Sequence, residues 1–163
     1  MRKTRIYLDT SPIIMIEPDQ DPRRQAITKE FFRIMAEKSE EYELFVSPVT
    51  LEELRAGTHE RNKESIAFLD AMKHEELPDN DEAENLAWIY ATDGVLSQAH
   101  IDDLRHVAYA VVSRCDYIAT WNMRHLANPR TIRRVADVNA LENYAKIFIT
   151  TPEHFTGEAN NEQ

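Results

Sequence analysis

Two polar residues follow predicted strands directly, at positions where an α/β sheet binds its ligands. Asp9 comes immediately after the predicted strand Thr4–Leu8, and Asn122 comes two residues beyond the predicted strand Asp116–Thr120. Because ligands bind just beyond the carboxyl ends of parallel strands, both side chains are candidates for a functional site. On its own, Asp9 is better explained as a helix cap than as a catalyst, since Asp-Thr-Ser suits the start of a helix.

A second group of acids lies on predicted helices. The helix predicted over residues 101–114 has an apolar stripe that comprises Leu104, Val107, Ala108, Val111 and Val112. At about 100° per residue, Asp103 lies near the edge of this stripe and Asp102 lies well outside it. A carboxylate beside a buried face is unusual, because its desolvation is costly unless it is paired or bound to a metal. His106 is interpreted as a hydrogen-bonded histidine at the edge of the core rather than as a metal ligand.

Strands and helices alternate along the chain. Further strands are predicted at Leu44–Val46 and Lys146–Thr150, and further helices at about residues 21–40, from Ser47-Pro48 onward, at 62–73 and at 81–90. The helix that Ser47-Pro48 opens carries Glu52 and Glu53, and it is too short for periodicity to decide which of them faces the core. This alternation predicts an α/β domain with a mainly parallel sheet.

The composition is that of one ordinary globular domain. The chain has 163 residues, of which 42% are hydrophobic, and this is enough to bury a sheet against helices without disulfides. The single cysteine, Cys115, excludes an internal disulfide and fits a reducing compartment. No apolar run is long enough for a secretory signal or a membrane span. We therefore expect a cytoplasmic protein without a membrane partner.

Charge is unevenly distributed along the chain. The 19 basic and 29 acidic residues give a net charge of −10, which is the wrong sign for a general nucleic-acid binder. Residues 117–136, however, contain no acid and carry the basic side chains Arg124, His125, Arg130, Arg133 and Arg134. This segment is either a local phosphate-binding face or a solvated helix, and the sequence favours neither. The acids crowd residues 37–43 and 75–84, which are interpreted as solvated helix surfaces.

Several segments resemble the motifs of PIN domains, and they follow one another in the right order. They are Leu8-Asp9-Thr10-Ser11, Val46–Gly57, Asp103–Ala110, Asp116–Leu126 and a closing strand that comprises Asn143-Tyr144 and Ile147–Pro152. In the second motif the acid directly precedes a Leu, and a small residue follows. Each motif alone is a weak signal, but four together at this spacing over nearly the whole chain are fairly specific.

The resemblance implies a fold and a metal site. The fold is a PIN-like three-layer α/β/α domain over residues 1–156, and we expect residues 157–163 to form a frayed, flexible tail. The catalytic residues implied by the resemblance are Asp9, Glu53, Asp103 and Asn122, of which Asp9, Glu53 and Asp103 hold the metal. The register of the second motif selects Glu53 over Glu52.

The identity of the metal follows from the donor atoms. Oxygen ligands prefer Mg²⁺ or Mn²⁺ to zinc, and the histidines and Cys115 are too scattered along the sequence for a convincing zinc site. Asn122 stands where PIN domains most commonly have Asp, so it offers an oxygen but adds no negative charge. This difference favours one firmly held metal ion over two.

The resemblance also implies a biological role. It is that of a VapC-like toxin of a type II toxin–antitoxin pair: an endoribonuclease that cleaves RNA phosphodiesters, forms a homodimer and is blocked by a small antitoxin protein. Asn122 leaves an alternative open, a PIN-like module that binds RNA or protein through a weakened or inactive site. A phosphatase with an Asp nucleophile after the first strand has less support, because Ser11 occupies the place of its second acid.

Overall fold

Five strands and seven helices alternate along the part of the chain that the computed structural model describes, residues 2–56 and 62–157. The strands are β1 (Thr4–Leu8), β2 (Tyr42–Val46), β3 (Glu75–Glu76), β4 (Tyr117–Ala119) and β5 (Phe148–Thr150). The helices are α1 (Thr10–Ile14), α2 (Pro22–Glu37), α3 (Pro48–Ala56), α4 (Lys63–Ala71), α5 (Asp81–Thr92), α6 (Ile101–Val112) and α7 (Pro129–Leu141). Gly57 of the second motif and residues 158–163 of the expected tail lie outside the described residues.

The strands form one sheet in the order β3-β2-β1-β4-β5, and every neighbouring pair is parallel. This confirms the predicted α/β class with a parallel sheet. The chain passes outward from β1 to β2 and β3, then returns to the other side of β1 to form β4 and β5. The strand order therefore reverses between β1 and β4, and this is the place where sheets of this kind open a ligand-binding crevice.

Helices cover both faces of the sheet, so the predicted three-layer arrangement is confirmed. Successive residues of a strand point to opposite faces, and Tyr7 of β1 packs with α5, α6 and α7 while Ile6 and Leu8 pack with α1, α2 and α4. Helix α3 contributes to both cores, through Val49 on one face and Leu54 on the other. It thereby lies beside the carboxyl ends of the central strands.

Helix α6 follows the predicted amphipathic pattern. Leu104, Val107 and Ala108 are completely buried, and Val111 is nearly so. The helix packs most extensively against α5. Within the described residues, no helix is both long and apolar enough to cross a lipid bilayer.

One segment differs from the interpretation of the sequence, and the backbone of a second, which the sequence left open, is now defined. Glu75 and Glu76 form the edge strand β3 beside β2 rather than a solvated helix surface, although their side chains are exposed as expected. Residues 129–141 form helix α7, so this part of the basic segment is helical, and a helical backbone is compatible with a phosphate-binding face as well as with a solvated surface. The helix begins where Asn128 accepts a hydrogen bond from the Thr131 backbone N–H at 2.9 Å, and Pro129 occupies the first turn.

Candidate active site

Asp9 lies at the crevice between β1 and β4 and is only 4% exposed. Its Oδ1 accepts hydrogen bonds from the backbone N–H of Ser11 at 3.1 Å and from the Ser11 hydroxyl at 2.6 Å, while its Oδ2 accepts one from Thr120 Oγ1 at 2.7 Å. Asp9 is therefore the N-cap of α1, as the sequence allowed. Two hydroxyls from different strand ends also fix the orientation of its carboxylate.

Glu53 points toward the same crevice from α3. Its Oε1 accepts a hydrogen bond from Thr10 Oγ1 at 3.0 Å and contacts Nε2 of His106 closely. The other ring nitrogen of His106, Nδ1, lies 2.6 Å from the Tyr7 hydroxyl. His106 is buried, so its interpretation as a hydrogen-bonded histidine at the edge of the core agrees with the structure. Its ring joins Glu53 of α3 to the central strand.

Asp103 reaches the crevice from the first turn of α6. Its Oδ1 accepts a hydrogen bond from the Asn122 side-chain amide at 3.3 Å, and its Oδ2 lies 3.1 Å from His125 Nδ1. The Asn122 oxygen accepts a hydrogen bond from the His125 backbone N–H at 3.0 Å. Asn122 thus presents a donor to Asp103 and turns its oxygen toward the loop, which makes it a positioning group rather than an oxygen ligand in this arrangement.

The neighbouring acids Glu52 and Asp102 are held away from the crevice by one cation. Arg105 contacts the Glu52 carboxylate at 3.1 Å and the Asp102 carboxylate at 3.0 Å. The Asp102 side chain is 61% exposed, against 22% for Asp103. The structure therefore places Glu53 and Asp103, not their neighbours, at the crevice.

Burial and charge perturb the three carboxylates differently. Burial raises the pKa of Asp9 and of Asp103, although the charge of His106 opposes the rise in both. Burial also acts to raise the pKa of Glu53, but the hydrogen bond and charge of His106 outweigh it and lower this pKa. The pKa of His106 is raised: burial alone would lower it, and its negative neighbours, led by Glu53, more than compensate.

The donor atoms of this cluster fit a divalent cation. Within the described residues, no Lys or Arg forms an ion pair with Asp9, Glu53 or Asp103; the ion pairs of Glu53 and Asp103 are with histidines, and Arg105 acts on Glu53 only from a longer distance. Carboxylates gathered without a cation disfavour one another's ionised form, and oxygen donors are the usual ligands of Mg²⁺ and Mn²⁺. The three carboxylates could therefore hold such an ion.

Two histidines at this site were missed by the sequence interpretation, which regarded the histidines as scattered. His100 lies at the start of α6 and His125 in the loop after β4. The centroids of their two rings are 4.0 Å apart, beside Asp103. His100, Asp103 and His125 together form a group whose ligand atoms all lie within 4.8 Å of one another. A signal for them existed, because His100 precedes Asp103 by three residues and His125 follows Asn122 by three.

Comparison with known proteins finds solved structures that share the fold, but no relative by sequence. No family model matches the chain, and no curated protein matches it by sequence. VapC20 of Mycobacterium tuberculosis, described as a sarcin-ricin loop cleaving toxin, superposes with a TM-score of 0.56 at 15% identity over 72% of this chain and 90% of its own. VapBC2 from Rickettsia felis, bound to a DNA fragment from its promoter, superposes with a TM-score of 0.59 at 13% identity, over 90% of this chain and 98% of its own.

The chain has the PIN-type fold of the VapC toxins. In this PIN-type fold the four motifs found in the sequence converge from four separate elements. Asp9 follows β1, Glu53 lies on α3, Asp103 lies on α6 and Asn122 follows β4. The charges of Asp9, Glu53 and Asp103 all act to raise the pKa of His106, and Glu53 contacts its ring directly.

Proposed function

We propose that this chain is a divalent-metal-dependent endoribonuclease and the toxin of a toxin–antitoxin pair. One observation carries the proposal. Asp9, Glu53 and Asp103 belong to three separate elements, yet the charge of each raises the pKa of the same buried ring, His106, in a fold shared with VapC20, which is described as cleaving the sarcin-ricin loop. Asp9 is almost completely buried, and a buried carboxylate is expensive unless it is paired or binds a cation.

The three carboxylates would hold Mg²⁺ or Mn²⁺. When bound, such an ion would activate a water molecule for in-line attack on a phosphodiester, and it would neutralise the charge that develops on the phosphate oxygens. The chain's own contribution is orientation. Ser11 and Thr120 fix the carboxylate of Asp9, Thr10 and His106 fix that of Glu53, and Asn122 and His125 fix that of Asp103. Partners of this kind hold the ligands of a metal site in place before the ion arrives.

The RNA backbone would lie along the exposed basic side chains beside the crevice. Arg124 follows Asn122 in the same loop, and Arg130 and Arg133 lie one turn apart on α7. All three are exposed, and none forms an ion pair with another described residue. Uncompensated cations in the segment that follows Asn122 suit a phosphate backbone, even in a chain whose net charge is negative.

Two partners follow from the same proposal. The Rickettsia felis structure contains an assembled VapBC2 complex on promoter DNA, and we propose that this chain likewise binds a small antitoxin protein and forms a homodimer. Light scattering of the purified chain should give twice its mass of 19.0 kDa. A monomer at all concentrations would contradict the dimer without bearing on the nuclease.

Cleavage of RNA tests the enzymatic proposal. Purified protein is expected to cut structured RNA in Mg²⁺ or Mn²⁺ and not in EDTA. Glu53→Gln should slow cleavage by about 100-fold or more, because it removes a ligand charge that stabilises the transition state by several kcal/mol. Glu52→Gln, the same change one residue earlier on α3, should leave the rate within about threefold, since Glu52 contacts Arg105 instead of the crevice.

The alternative, a PIN-like module that binds without cutting, is favoured by one observation: Asn122 supplies no fourth negative charge. RNA that is bound but stays intact in Mg²⁺, Mn²⁺ and EDTA alike would support the binding module and overturn the nuclease. Cleavage that is equally fast in both glutamate variants would also contradict the proposed site.

The basic side chains of α7 provide a separate prediction. Arg130→Gln and Arg133→Gln should each weaken RNA binding and lower the slope of log affinity against log salt concentration by about 1, because each removes one phosphate contact. Fluorescence anisotropy of a labelled RNA at several salt concentrations measures this slope. Arg23→Gln is the matched control, since Arg23 is an exposed helical arginine of α2, on the opposite face of the sheet. An equal effect in the control would contradict a local RNA-binding face.

A further inference from the structure

Two histidines and one carboxylate converge on a single point beside the crevice. His125 Nδ1 lies 3.1 Å and His100 Nδ1 lies 3.9 Å from the same oxygen, Oδ2 of Asp103. All three side chains are partly exposed, with 38% for His100, 28% for His125 and 22% for Asp103. An ion from solution can therefore reach their ligand atoms, which all lie within 4.8 Å of one another.

The surrounding hydrogen bonds divide the two oxygens of Asp103 between two sides. Oδ1 accepts from the Asn122 amide, whereas Oδ2 faces the two imidazoles. The loop that carries His125 is fixed by two bonds: its N–H donates to Asn122 Oδ1 at 3.0 Å, and its carbonyl accepts from Thr131 Oγ1 at 2.7 Å. His100 Nδ1, at 3.9 Å from Oδ2, is too far for a hydrogen bond and remains available as a ligand.

The donor atoms differ in kind from those of the carboxylate cluster. Imidazole nitrogen is a ligand for zinc, iron, cobalt and nickel, whereas Mg²⁺ prefers oxygen ligands and octahedral geometry. Two imidazoles and one carboxylate leave further coordination positions open, as in catalytic zinc and iron sites.

We propose that His100, Asp103 and His125 bind a first-row transition ion such as Zn²⁺ in preference to Mg²⁺, at a position next to the carboxylate cluster of Asp9 and Glu53. Asp103 belongs to both positions, and its two oxygens face different neighbours. The inference rests on the proposed function in assigning Asp103 to a nuclease site, but binding at the histidines requires no catalysis. The proposal also bears on Asn122, which stands where PIN domains most commonly have Asp. The imidazoles of His100 and His125 would supply metal ligands in place of a fourth carboxylate.

Spectroscopy with Co²⁺ tests the site without an activity assay. Protein treated with EDTA and then desalted is titrated with Co²⁺, whose visible absorption strengthens when the ion leaves its octahedral aquo complex for a site of lower coordination number, and Zn²⁺ is then added as a competitor. We expect absorption bands that saturate at about one equivalent and disappear with Zn²⁺, while excess Mg²⁺ leaves them in place. His100→Gln and His125→Gln should each weaken Co²⁺ binding by about 10- to 100-fold or more. The control is His154→Gln, an exposed histidine outside the group.

Two further variants separate this site from the proposed nuclease. Asp9→Asn should slow cleavage by about 1,000-fold or more and keep the Co²⁺ spectrum, because Asp9 is not one of the three ligands. Bands that are absent, or that are unchanged in both histidine variants, would overturn the inference while leaving the nuclease intact. Co²⁺ bands that depend on both histidines, in a protein that cuts no RNA, would support the inference and overturn the nuclease. If His125→Gln is destabilised, His100→Gln decides, since the His100 side chain makes no capping hydrogen bond.

Discussion

Asp9→Asn is expected to slow RNA cleavage by about 1,000-fold or more, because the charge of a metal ligand contributes several kcal/mol to the transition state. The amide preserves the shape of the side chain and remains a good N-cap for α1, so the crevice should keep its form. Single-turnover cleavage of one RNA substrate by wild type and variant measures the ratio. Asp102→Asn is the control, because Asp102 is exposed and bound to Arg105. A variant that cuts as fast as wild type would remove Asp9 from the mechanism.

The same substitution should not weaken the fold, and this separates loss of chemistry from loss of structure. Burial raises the pKa of Asp9, so at neutral pH the ionised form is less favourable in the folded chain than in the unfolded chain. Removing that charge relieves the cost, while one oxygen remains to accept from Ser11. The free energy of unfolding without metal should therefore stay within about 1 kcal/mol of wild type or increase. A decrease of several kcal/mol would show that the carboxylate is needed to hold the fold.

Leu104→Ala should lower the free energy of unfolding by about 2 to 5 kcal/mol, the range for a cavity left in a close-packed core. Leu104 is completely buried on the face of α6 that packs with β1 and α5, one residue from Asp103. Urea denaturation followed by tryptophan fluorescence measures the change. Helix α6 also positions Asp103 and His106. At temperatures near the midpoint of thermal unfolding of the variant, the rate of RNA cleavage should therefore fall together with the folded fraction.

Leu141→Ala makes the same chemical change where it should matter little. Leu141 ends α7 with its side chain 77% exposed, and we expect a change within about 0.5 kcal/mol. Equal destabilisation by the two substitutions would contradict the assignment of the core. A lower free energy of unfolding in Leu104→Ala, without a change in Leu141→Ala, would confirm that the apolar stripe holds α6 in place.

The carboxylate cluster was largely accessible from the sequence because local rules position it. Asp9 directly follows a strand whose last three residues, Ile6 to Leu8, are completely buried, and the period of α6 separates Asp103 from Asp102. On α3 the local rule was insufficient, and only the resemblance chose Glu53. The physical reason appears in the fold: Arg105 of another helix draws Glu52 away, and no pattern within α3 contains that information.

The group of His100, Asp103 and His125 could not be predicted from local sequence patterns. His100 and His125 belong to the start of α6 and to the loop after β4, and their distance depends on the parallel pairing of β1 with β4 and on the packing of α6. For the same reason Glu75 and Glu76 were assigned to a helix surface. Their backbone pairs with Phe45 and Val46 at the edge of the sheet, and a two-residue strand leaves no period to detect.

The place of β1 in the middle of the sheet has a consequence for the synthesis of the chain. Asp9 is made before its neighbour Thr120, from which it is separated by 111 residues along the chain, and before β4, the strand that flanks it. Until those residues leave the ribosome, the crevice has one wall. For the ribonuclease that we propose, the growing chain therefore carries no complete site until β4 has been made, and the interval gives the proposed antitoxin time to be present when the second wall closes.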